Sequence, residues 1–276
     1  MSAVGTSVTA LPRARRRLRL GRMVLPVYTW LVILYTVIPI ALMILYSFNQ
    51  APSGRLTFKW IGFTTQWYSQ VFEISDLTNA LVNSLVVAGS SSLLAAIIGT
   101  PLAIALARYR YLGRNATNGV IFTNIAAPSV VVGASLLSLF ITLNVNRGLV
   151  TIIIAHVAFN IAFVAIVVRA RIVGLDRSIE RAAADLGASP RVAFQKVLLP
   201  LIFPGIMAGM LLAFAMSIDD FIITSFVAGQ TLTFPLWVYG AVKVGIPPQV
   251  FVMGTLIFIV GVALAVVNTV LQRRAS

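Results

Sequence analysis

The sequence predicts an all-α membrane protein with six transmembrane helices and both termini in the cytoplasm. The chain of 276 residues is 59% hydrophobic and only 10% charged, with a mean hydropathy of +0.97, a composition that a soluble domain of this size does not need. Six apolar stretches are long enough for helices that cross the hydrocarbon core, which takes about 20 residues. Basic residues gather in alternate connections between these stretches.

The apolar stretches define the organisation of the chain. We place them at residues 24–46, 80–107, 119–143, 150–168, 201–226 and 250–271. Together they form one transmembrane domain over 24–271, which includes a long cytoplasmic segment at 169–200. A basic cytoplasmic tail, 1–23, precedes this domain, and a short cytoplasmic tail, 272–276, follows it.

The arginines of the N-terminal tail allow a second interpretation. Arg15, Arg16 and Arg17 could belong to a twin-arginine export signal. No convincing small-residue cleavage site follows them, and the next apolar stretch is too long for a signal-peptide core. The pattern therefore favours a tail followed by a retained first span.

The distribution of basic residues predicts the orientation. Seventeen of the 21 lysines and arginines lie in residues 13–22, 108–114, 169–196 and 273–274. The other four are Arg55, Lys59, Arg147 and Lys243. Because short cytoplasmic loops are enriched in Lys and Arg, both termini are expected in the cytoplasm. The same rule explains the net charge of +14, so we expect no nucleic-acid partner.

Several kinds of chemistry are excluded by residue content. The chain has no cysteine and one histidine, so it offers neither a disulfide framework nor a His or Cys metal cluster. It also has no Gly-Lys-Ser/Thr phosphate loop and no catalytic constellation. We therefore predict no metal site, no cofactor and no enzymatic activity in this chain, and assign any use of ATP to a partner.

The cytoplasmic segment 169–200 predicts two short helices. Ser178 is expected to cap the first helix, with Glu180 in its first turn. Gly187 is expected to end it, since glycine adopts the left-handed conformation that often closes a helix. The second helix is expected to start at Pro190, with Ser189 as its cap.

This segment resembles the signature of ABC-importer permeases. Ala182, Ala183, Gly187 and Leu199-Pro200 stand at the spacing of Glu-Ala-Ala, three residues, Gly, nine residues, Ile-x-Leu-Pro. Arg181 departs from that signature, because it takes the position of the glutamate while Glu180 lies one residue earlier.

The resemblance implies a fold and an assembly. The fold would be that of the type I importer permeases, and this segment would dock on an ATPase subunit that binds ATP and magnesium. The core of the dock would be Ala182, Ala183, Gly187, Ala188, Ser189 and Pro190. Implied partners are a second permease subunit, two ATPase subunits and an extracytoplasmic substrate-binding protein. The implied location is the bacterial inner membrane.

An acidic pair interrupts the fifth apolar stretch. Asp219 and Asp220 are two of only seven carboxylates, and an ionised Asp at the bilayer centre costs about 2.5–3.5 kcal/mol. Such residues usually line a transport path, although a packing role remains an alternative. On a regular helix, Ser217, Asp220 and Thr224 would share one polar stripe, whereas Asp219 would face another side. This favours Asp220 as the residue that faces the cavity, with Asp219 as either a second ligand or a structural partner of another helix.

The region after the acidic pair is similar to polyamine-type permeases, the spermidine and putrescine importers. The similarity lies in the runs SIDDF and TFPLWVYG, within a resemblance that covers about residues 24–271. Aromatic faces attract cations, so Trp237 and Tyr239 are candidate substrate contacts, with interfacial anchoring as the alternative. Rival interpretations are the same machine for ferric iron, a sulfate-like anion or a sugar, an ion-coupled carrier that uses Asp219 and Asp220, and a scaffold without transport.

Two further patterns lie inside apolar stretches. His156 and Asn160 are four residues apart and are expected to form a hydrogen-bonded packing pair, since their own stretch lacks the acidic neighbours of a proton relay. Pro128, Gly133 and Ser135 are expected either to allow close helix packing or to break the backbone beside a cavity.

Overall fold

The computed structural model describes residues 20–56 and 59–274. Within these ranges the regular elements are helices, with one isolated antiparallel bridge between Asn49 and Phe63. Most of the predicted N-terminal tail, residues 1–19, and the last two residues lie outside the described part of the chain.

Twelve α-helices and one π-helical turn follow one another in the described residues. They are α1 Leu20–Ser47, α2 Gln66–Ser69, α3 Ser75–Arg108, α4 Arg114–Ala126, α5 Ser129–Thr142, α6 Leu149–Val173, α7 Ser178–Asp185, α8 Pro190–Ala193, the π-helical turn Phe194–Leu198, α9 Leu199–Ile218, α10 Ile222–Val227, α11 Phe234–Val244 and α12 Pro248–Arg274.

Four of these helical stretches are long and apolar enough to cross a membrane. They are Val24–Ser47, Ser75–Arg108, Leu149–Val173 and the continuous run Pro190–Ile218. A fifth is added if the bent pair α4 and α5 is counted as one span, and the stretch Pro248–Leu264 of α12 is also apolar but shorter than the four. In the described part of the chain, length and composition thus support four or five of the six predicted spans.

The third predicted span is not a single helix, which corrects the sequence-based expectation for residues 119–143. The chain bends by 109° between α4 and α5. The bend lies at Ala127 and Pro128, which have extended backbone conformations. Proline cannot donate a backbone hydrogen bond, and it also disfavours the helical conformation of the residue before it. Pro128 therefore interrupts the helix, which is one of the two predicted alternatives.

The core is a bundle of α3, α6 and α9 held together by small residues. The buried face of α9 carries a small residue at every fourth position: Gly205, Gly209, Ala213 and Ser217. A Cβ atom added at Gly209 would lie 3.4 Å from Val164 of α6. Helices in lipid gain no hydrophobic free energy when they associate. Close approach of their backbones instead stabilises the bundle through van der Waals contacts.

A second close contact joins α5 to α10. A Cβ added at Gly133 of α5 would lie only 2.6 Å from Cδ2 of Phe226 in α10. Ile223 and Val227 of α10 are buried in the same cluster, together with Phe140 of α5. Gly133 therefore permits close packing, so both predicted roles of the Pro128–Gly133 region occur, at different residues.

Helix α1 lies apart from this bundle. Its side chains are mostly exposed from Val24 to Leu42, and among the described residues it packs chiefly along α12. Near this contact, a Cβ added at Gly254 would approach the sulfur of Met43 to 2.8 Å. An apolar helix exposed over most of its length suits a lipid or protein neighbour rather than water.

Candidate functional site

The fifth predicted span is interrupted at the acidic pair. Helix α9 ends at Ile218 and α10 begins at Ile222, so Asp219 and Asp220 lie in a short break between them. Oδ2 of Asp220 accepts the backbone N–H of Thr224 at 2.8 Å, in the first turn of α10. An aspartate that satisfies a free N–H at a helix start competes with a continuing helix, so Asp220 itself stabilises the break.

This break corrects the prediction of a regular helix over residues 201–226. Asp220 and Thr224 are still neighbours, but through a capping contact between the break and α10 rather than through adjacent turns of one helix. Ser217 lies on the other side of the break, where it is buried in α9. Asp219 is exposed, while the Asp220 side chain keeps only 15% of its surface exposed.

Asp220 is part of a buried polar chain that reaches α6. The Thr224 hydroxyl donates to Oδ2 of Asp220 at 2.9 Å, and Nε2 of His156 lies 3.0 Å from the same hydroxyl oxygen. Nε2 of His156 is also 3.4 Å from Oδ2 of Asp220. Thr224 is fully buried and His156 is 2% exposed. Two side chains, Thr224 of α10 and His156 of α6, therefore converge on one carboxylate oxygen of Asp220 in the break.

A second buried cluster lies on the α9 side of the break. Nδ2 of Asn160 donates to the Ser217 hydroxyl at 2.7 Å, and that hydroxyl is 3.0 Å from Oγ of Ser91 in α3. All three residues are at most 5% exposed. Buried polar groups in an apolar environment are costly unless they are hydrogen-bonded, so this cluster fixes the end of α9 against α3 and α6.

The expected hydrogen bond between His156 and Asn160 is wrong. Each residue bonds across a helix interface instead, His156 to Thr224 and Asn160 to Ser217. The acidic neighbour that α6 itself lacks is supplied by Asp220 from a distant part of the chain. His156, Asn160 and Ser91 are thus the polar residues that the sequence analysis missed or dismissed. The one available signal was their polarity within apolar stretches.

The two aromatic candidates occupy different surroundings. The Tyr239 ring packs on Phe221, the residue next to Asp220, with centroids 4.7 Å apart. Nζ of Lys243 lies 5.1 Å from the centre of the same Tyr239 ring. Trp237 is half-buried and packs against a separate apolar cluster that includes Leu77. The structure therefore brings Tyr239 beside the break but not Trp237.

The predicted cytoplasmic coupling segment forms the two short helices α7 and α8. Gly187 ends the first one with a φ of +81°, and its N–H bonds to the carbonyl of Ala184 at 2.9 Å. The N–H of Ala188 bonds to the carbonyl of Ala183 at 3.0 Å, which completes the glycine-terminated turn. Gly187 thus has its predicted structural role.

The predicted cap of α8 is confirmed, whereas the predicted cap of α7 is wrong. Ser189 caps α8, since its hydroxyl accepts the N–H of Val192 at 3.5 Å, and Pro190 takes the first helical position as expected. The predicted cap at Ser178 is wrong, because Ser178 is already helical and its N–H donates to Oδ1 of Asp176 at 2.9 Å. Hydrogen bonds from the Ser178 side chain and backbone lower the pKa of Asp176.

The predicted coupling segment is tied to the C-terminal end of α3. Glu180 forms a 2.8 Å ion pair with Arg108, the last residue of α3. The guanidinium of Arg177 donates to the carbonyls of Ala107 and Arg108 at 3.3 and 3.1 Å, and Arg114 donates to Leu106 at 2.9 Å. Cations at a helix C-terminus are favourable, because they meet its free carbonyls and its negative dipole end.

The signature residues of this segment divide into exposed and structural members. Arg181, Ala182, Gly187, Ser189 and Pro190 are exposed, and Ala183 and Ala188 are partly buried. Large apolar side chains are exposed on the same segment: Ile179, Leu186, Val192 and Phe194. Leu199 and Pro200 begin α9 instead, directly after the π-helical turn. Glu180 is paired with Arg108. Arg181, which takes the position of the signature glutamate, is therefore the charged residue that stays exposed there.

Comparisons with known proteins identify relatives over most of the chain. The chain is 35% identical over 255 residues to the spermidine/putrescine transport system permease protein PotC of Escherichia coli K12, covering 92% of this chain and 96% of that protein. It is 34% identical over 248 residues to PotC of Haemophilus influenzae, covering 90% and 95%. It is 40% identical over 227 residues to the putrescine transport system permease protein PotI of E. coli K12, covering 79% and 80%.

Solved structures share the fold at lower identity. A bacterial ABC transporter involved in import of the acidic polysaccharide alginate matches with a TM-score of 0.66 at 20% identity, covering 95% of this chain and 99% of the other. The MetNI methionine ABC transporter matches with a TM-score of 0.59 at 17% identity, covering 72% and 96%.

The family comparison matches the part of the chain that holds both the helix break and the coupling segment. The model of the binding-protein-dependent transport system inner membrane component matches residues 99–276. Together with relatives that are 34–40% identical over most of their lengths, this match is decisive. The chain is a multi-pass membrane protein that belongs to the family of binding-protein-dependent transport system inner membrane components.

Proposed function

We propose that this chain is a transmembrane permease subunit of an ATP-driven importer for polyamines such as spermidine and putrescine. Its relatives PotC and PotI carry those substrates in their names and match 79–92% of this chain. The chain would form half of a translocation path that opens alternately to the two sides of the membrane. Substrate binding and ATP binding then shift one conformational equilibrium through their different contacts in its two states.

The observation that carries the substrate class is the carboxylate pair at the helix break. Asp219 is exposed and Asp220 is partly accessible, in a stretch that carries no other charged residue. Polyamines carry two or more ammonium groups, and a cation in a low-dielectric path is stabilised by carboxylates. Tyr239 lies beside the break and adds an aromatic face, which attracts ammonium groups. Anionic substrates are disfavoured by the same charges.

The observation that supports an ATPase partner is the exposed coupling segment. It combines a glycine-terminated helix with exposed Ile179, Leu186, Val192 and Phe194 on the side that carries most basic residues. Apolar side chains exposed in a cytoplasmic segment suit a protein interface. We propose that two ATPase subunits, which bind ATP and magnesium, dock on this segment and on its equivalent in a second permease subunit. A substrate-binding protein would deliver polyamine from the opposite side.

We propose six spans with both termini in the cytoplasm of a bacterium and the domain embedded in its inner membrane. The bent pair α4 and α5 supplies one span and α12 the last. Seventeen of the 21 basic residues then lie on the cytoplasmic side. Cysteine-accessibility labelling of single cysteines at Arg110 and Arg147 tests this topology, since the chain has no native cysteine. Labelling of both sites from the same side would contradict it.

The experiment that tests the function is reconstitution of the complete complex in lipid vesicles. Uptake of radiolabelled putrescine or spermidine is measured with the binding protein outside and ATP inside. Asp220→Asn is expected to reduce uptake more than Asp219→Asn, because Asp220 is held in place by Thr224 and His156. Glu73→Gln, which removes an exposed charge from the outer connection, serves as the control and is expected to leave uptake unchanged. Equal losses for all three variants would contradict a role for the break.

A second candidate function is an ion-coupled carrier that works without ATP. The contact between His156 and Asp220 favours it, since a histidine beside a carboxylate inside a membrane is typical of proton relays. The two functions differ in their energy source. Uptake that requires ATP and persists when proton gradients are collapsed supports the importer, whereas uptake driven by a proton gradient without ATP supports the carrier.

A further inference from the structure

The hydrogen atoms of the Asp220–Thr224–His156 chain can be assigned from its geometry. The Thr224 hydroxyl has one hydrogen, and it points to Oδ2 of Asp220 at 2.9 Å, because an ionised carboxylate only accepts. The hydroxyl oxygen can therefore only accept from Nε2 of His156, 3.0 Å away. Nε2 of His156 must carry a hydrogen. The chain thus runs in one direction, from His156 through Thr224 to Asp220.

The other ring nitrogen indicates the form of the imidazole. Nδ1 of His156 is buried and has no hydrogen-bond partner among the described residues. A lone pair tolerates this position better than a second N–H, since a buried donor without an acceptor is costly. A ring with its hydrogen on Nε2 alone donates to Thr224 and leaves the negative charge of Asp220 uncompensated. That charge remains available to a ligand.

The two oxygens of the Asp220 carboxylate differ. Within the described residues, Oδ2 accepts the backbone N–H and the hydroxyl of Thr224 and lies 3.4 Å from Nε2 of His156. All of these contacts converge on the same oxygen, while 15% of the side chain stays exposed. The carboxylate is thereby fixed in rotation, with Oδ1 as the oxygen that a cation can approach.

We propose that His156 is a positioning residue for substrate: through Thr224 it fixes the Asp220 carboxylate so that its second oxygen receives an ammonium group of the transported polyamine. This inference rests on the proposed function and adds a residue that lies in another span and does not touch substrate. A carboxylate held by preorganised hydrogen bonds loses little freedom when it binds, which strengthens its interaction with a cation.

The test uses the complete complex with its binding protein in lipid vesicles, and putrescine uptake per ATP hydrolysed as the readout. His156→Leu removes the donor and is expected to lower this ratio about tenfold, the usual scale for loss of a buried hydrogen bond. His156→Gln places an amide N–H close to the position of Nε2. It is expected to restore the ratio to within about threefold of the native value.

The variant Asp220→Asn tests whether His156 acts through Asp220. If His156 acts through Asp220, the double variant His156→Leu/Asp220→Asn transports no worse than Asp220→Asn alone, because the second change has nothing left to position. Additive losses in the double variant would overturn the inference. A native ratio in Asp220→Asn would overturn the proposed role of Asp220 itself, so the two failures are distinguishable.

Loss of folding is separated from loss of positioning by a second pair of variants. Thr224→Ser keeps the hydroxyl that links the chain, and Thr224→Val keeps the shape but removes the hydroxyl. The inference requires that Thr224→Val behaves like His156→Leu and that Thr224→Ser transports normally. Copurification of the partner subunits with each variant reports assembly. Normal transport by an assembled Thr224→Val or His156→Leu variant would overturn the inference.

Discussion

The glycine that ends α7 provides a sharp test of the coupling segment. Gly187 has a φ of +81°, and a Cβ added there meets no atom within 4 Å. Gly187→Ala therefore introduces no steric clash, and its whole effect comes from the backbone. A residue with a Cβ pays about 1–2 kcal/mol for the left-handed conformation. This corresponds to an approximately 5–30-fold shift towards conformations in which the turn is undone.

The turn is the part of the segment that the strain would disrupt. Helix α7 has only eight residues, too few to be stable alone, and its end is held by the bonds from Gly187 to Ala184 and from Ala188 to Ala183. We expect Gly187→Ala to unwind the last turn of α7 and displace α8. The proposed ATPase subunits would then lose a defined contact with this segment.

The assay compares two glycines of equal strain. Gly113 at the start of α4 has a φ of +91° and also meets no atom within 4 Å, so Gly113→Ala carries the same backbone cost outside the coupling segment. In vesicles, uptake per ATP hydrolysed is expected to fall about fivefold or more for Gly187→Ala, following the conformational shift. It is expected to stay near the native value for Gly113→Ala. Equal effects of the two changes would refute the reasoning.

Two further predictions concern packing and titration. Gly133→Ala is expected to destabilise the complex by about 1–3 kcal/mol, because its Cβ would lie 2.6 Å from Phe226, whereas Gly89→Ala meets no atom within 4 Å and serves as the thermal-unfolding control. Indistinguishable melting temperatures for the two variants would contradict this packing. Ser178→Ala is expected to raise the pKa of Asp176 towards its usual value, measured by NMR titration. Since the native pKa is lowered, the stabilisation from this contact is present above the ordinary pKa of Asp and lost as pH falls through the lowered one.

Features set by local chemistry could be predicted from the sequence. The apolar stretches became helices because the hydrocarbon length and backbone hydrogen bonding leave few alternatives. Gly187, Ser189 and Pro190 took their predicted positions because each acts on its immediate neighbours through φ, a cap or a missing N–H. Even so, the cap at Ser178 was wrong, since Asp176 nearby offered a competing acceptor.

The helix break was harder to predict because it depends on more than hydropathy. An aspartate in an apolar stretch is compatible with a continuous helix, and the break exists where its side chain accepts an N–H of the next turn. The stripe through Ser217, Asp220 and Thr224 assumed an unbroken helix. Its members instead divide between two hydrogen-bonded clusters on the two sides of the break.

The partners of the site could not be predicted because they come from distant parts of the chain. His156 meets Asp220 only after α6 packs against α9 and α10, and Asn160 and Ser91 reach Ser217 in the same way. The sequence of α6 alone therefore indicated a local partner, Asn160, for His156. Polar residues in separate apolar stretches are candidates for mutual contact, because an unpaired polar side chain in a membrane-spanning helix is costly.

The anchoring of the coupling segment on α3 gives that helix the properties of a lever. Glu180 and Arg177 fasten α7 to the last residues of α3, whose 34 residues extend about 51 Å. This length exceeds the hydrocarbon core, so the proposed topology would place its first residue, Ser75, beyond the membrane boundary opposite to Arg108. A tilt of about five degrees pivoted at one end would displace the other end by about 4 Å. In the proposed orientation, small motions of the coupling segment would therefore produce displacements longer than a hydrogen bond at the far end of α3.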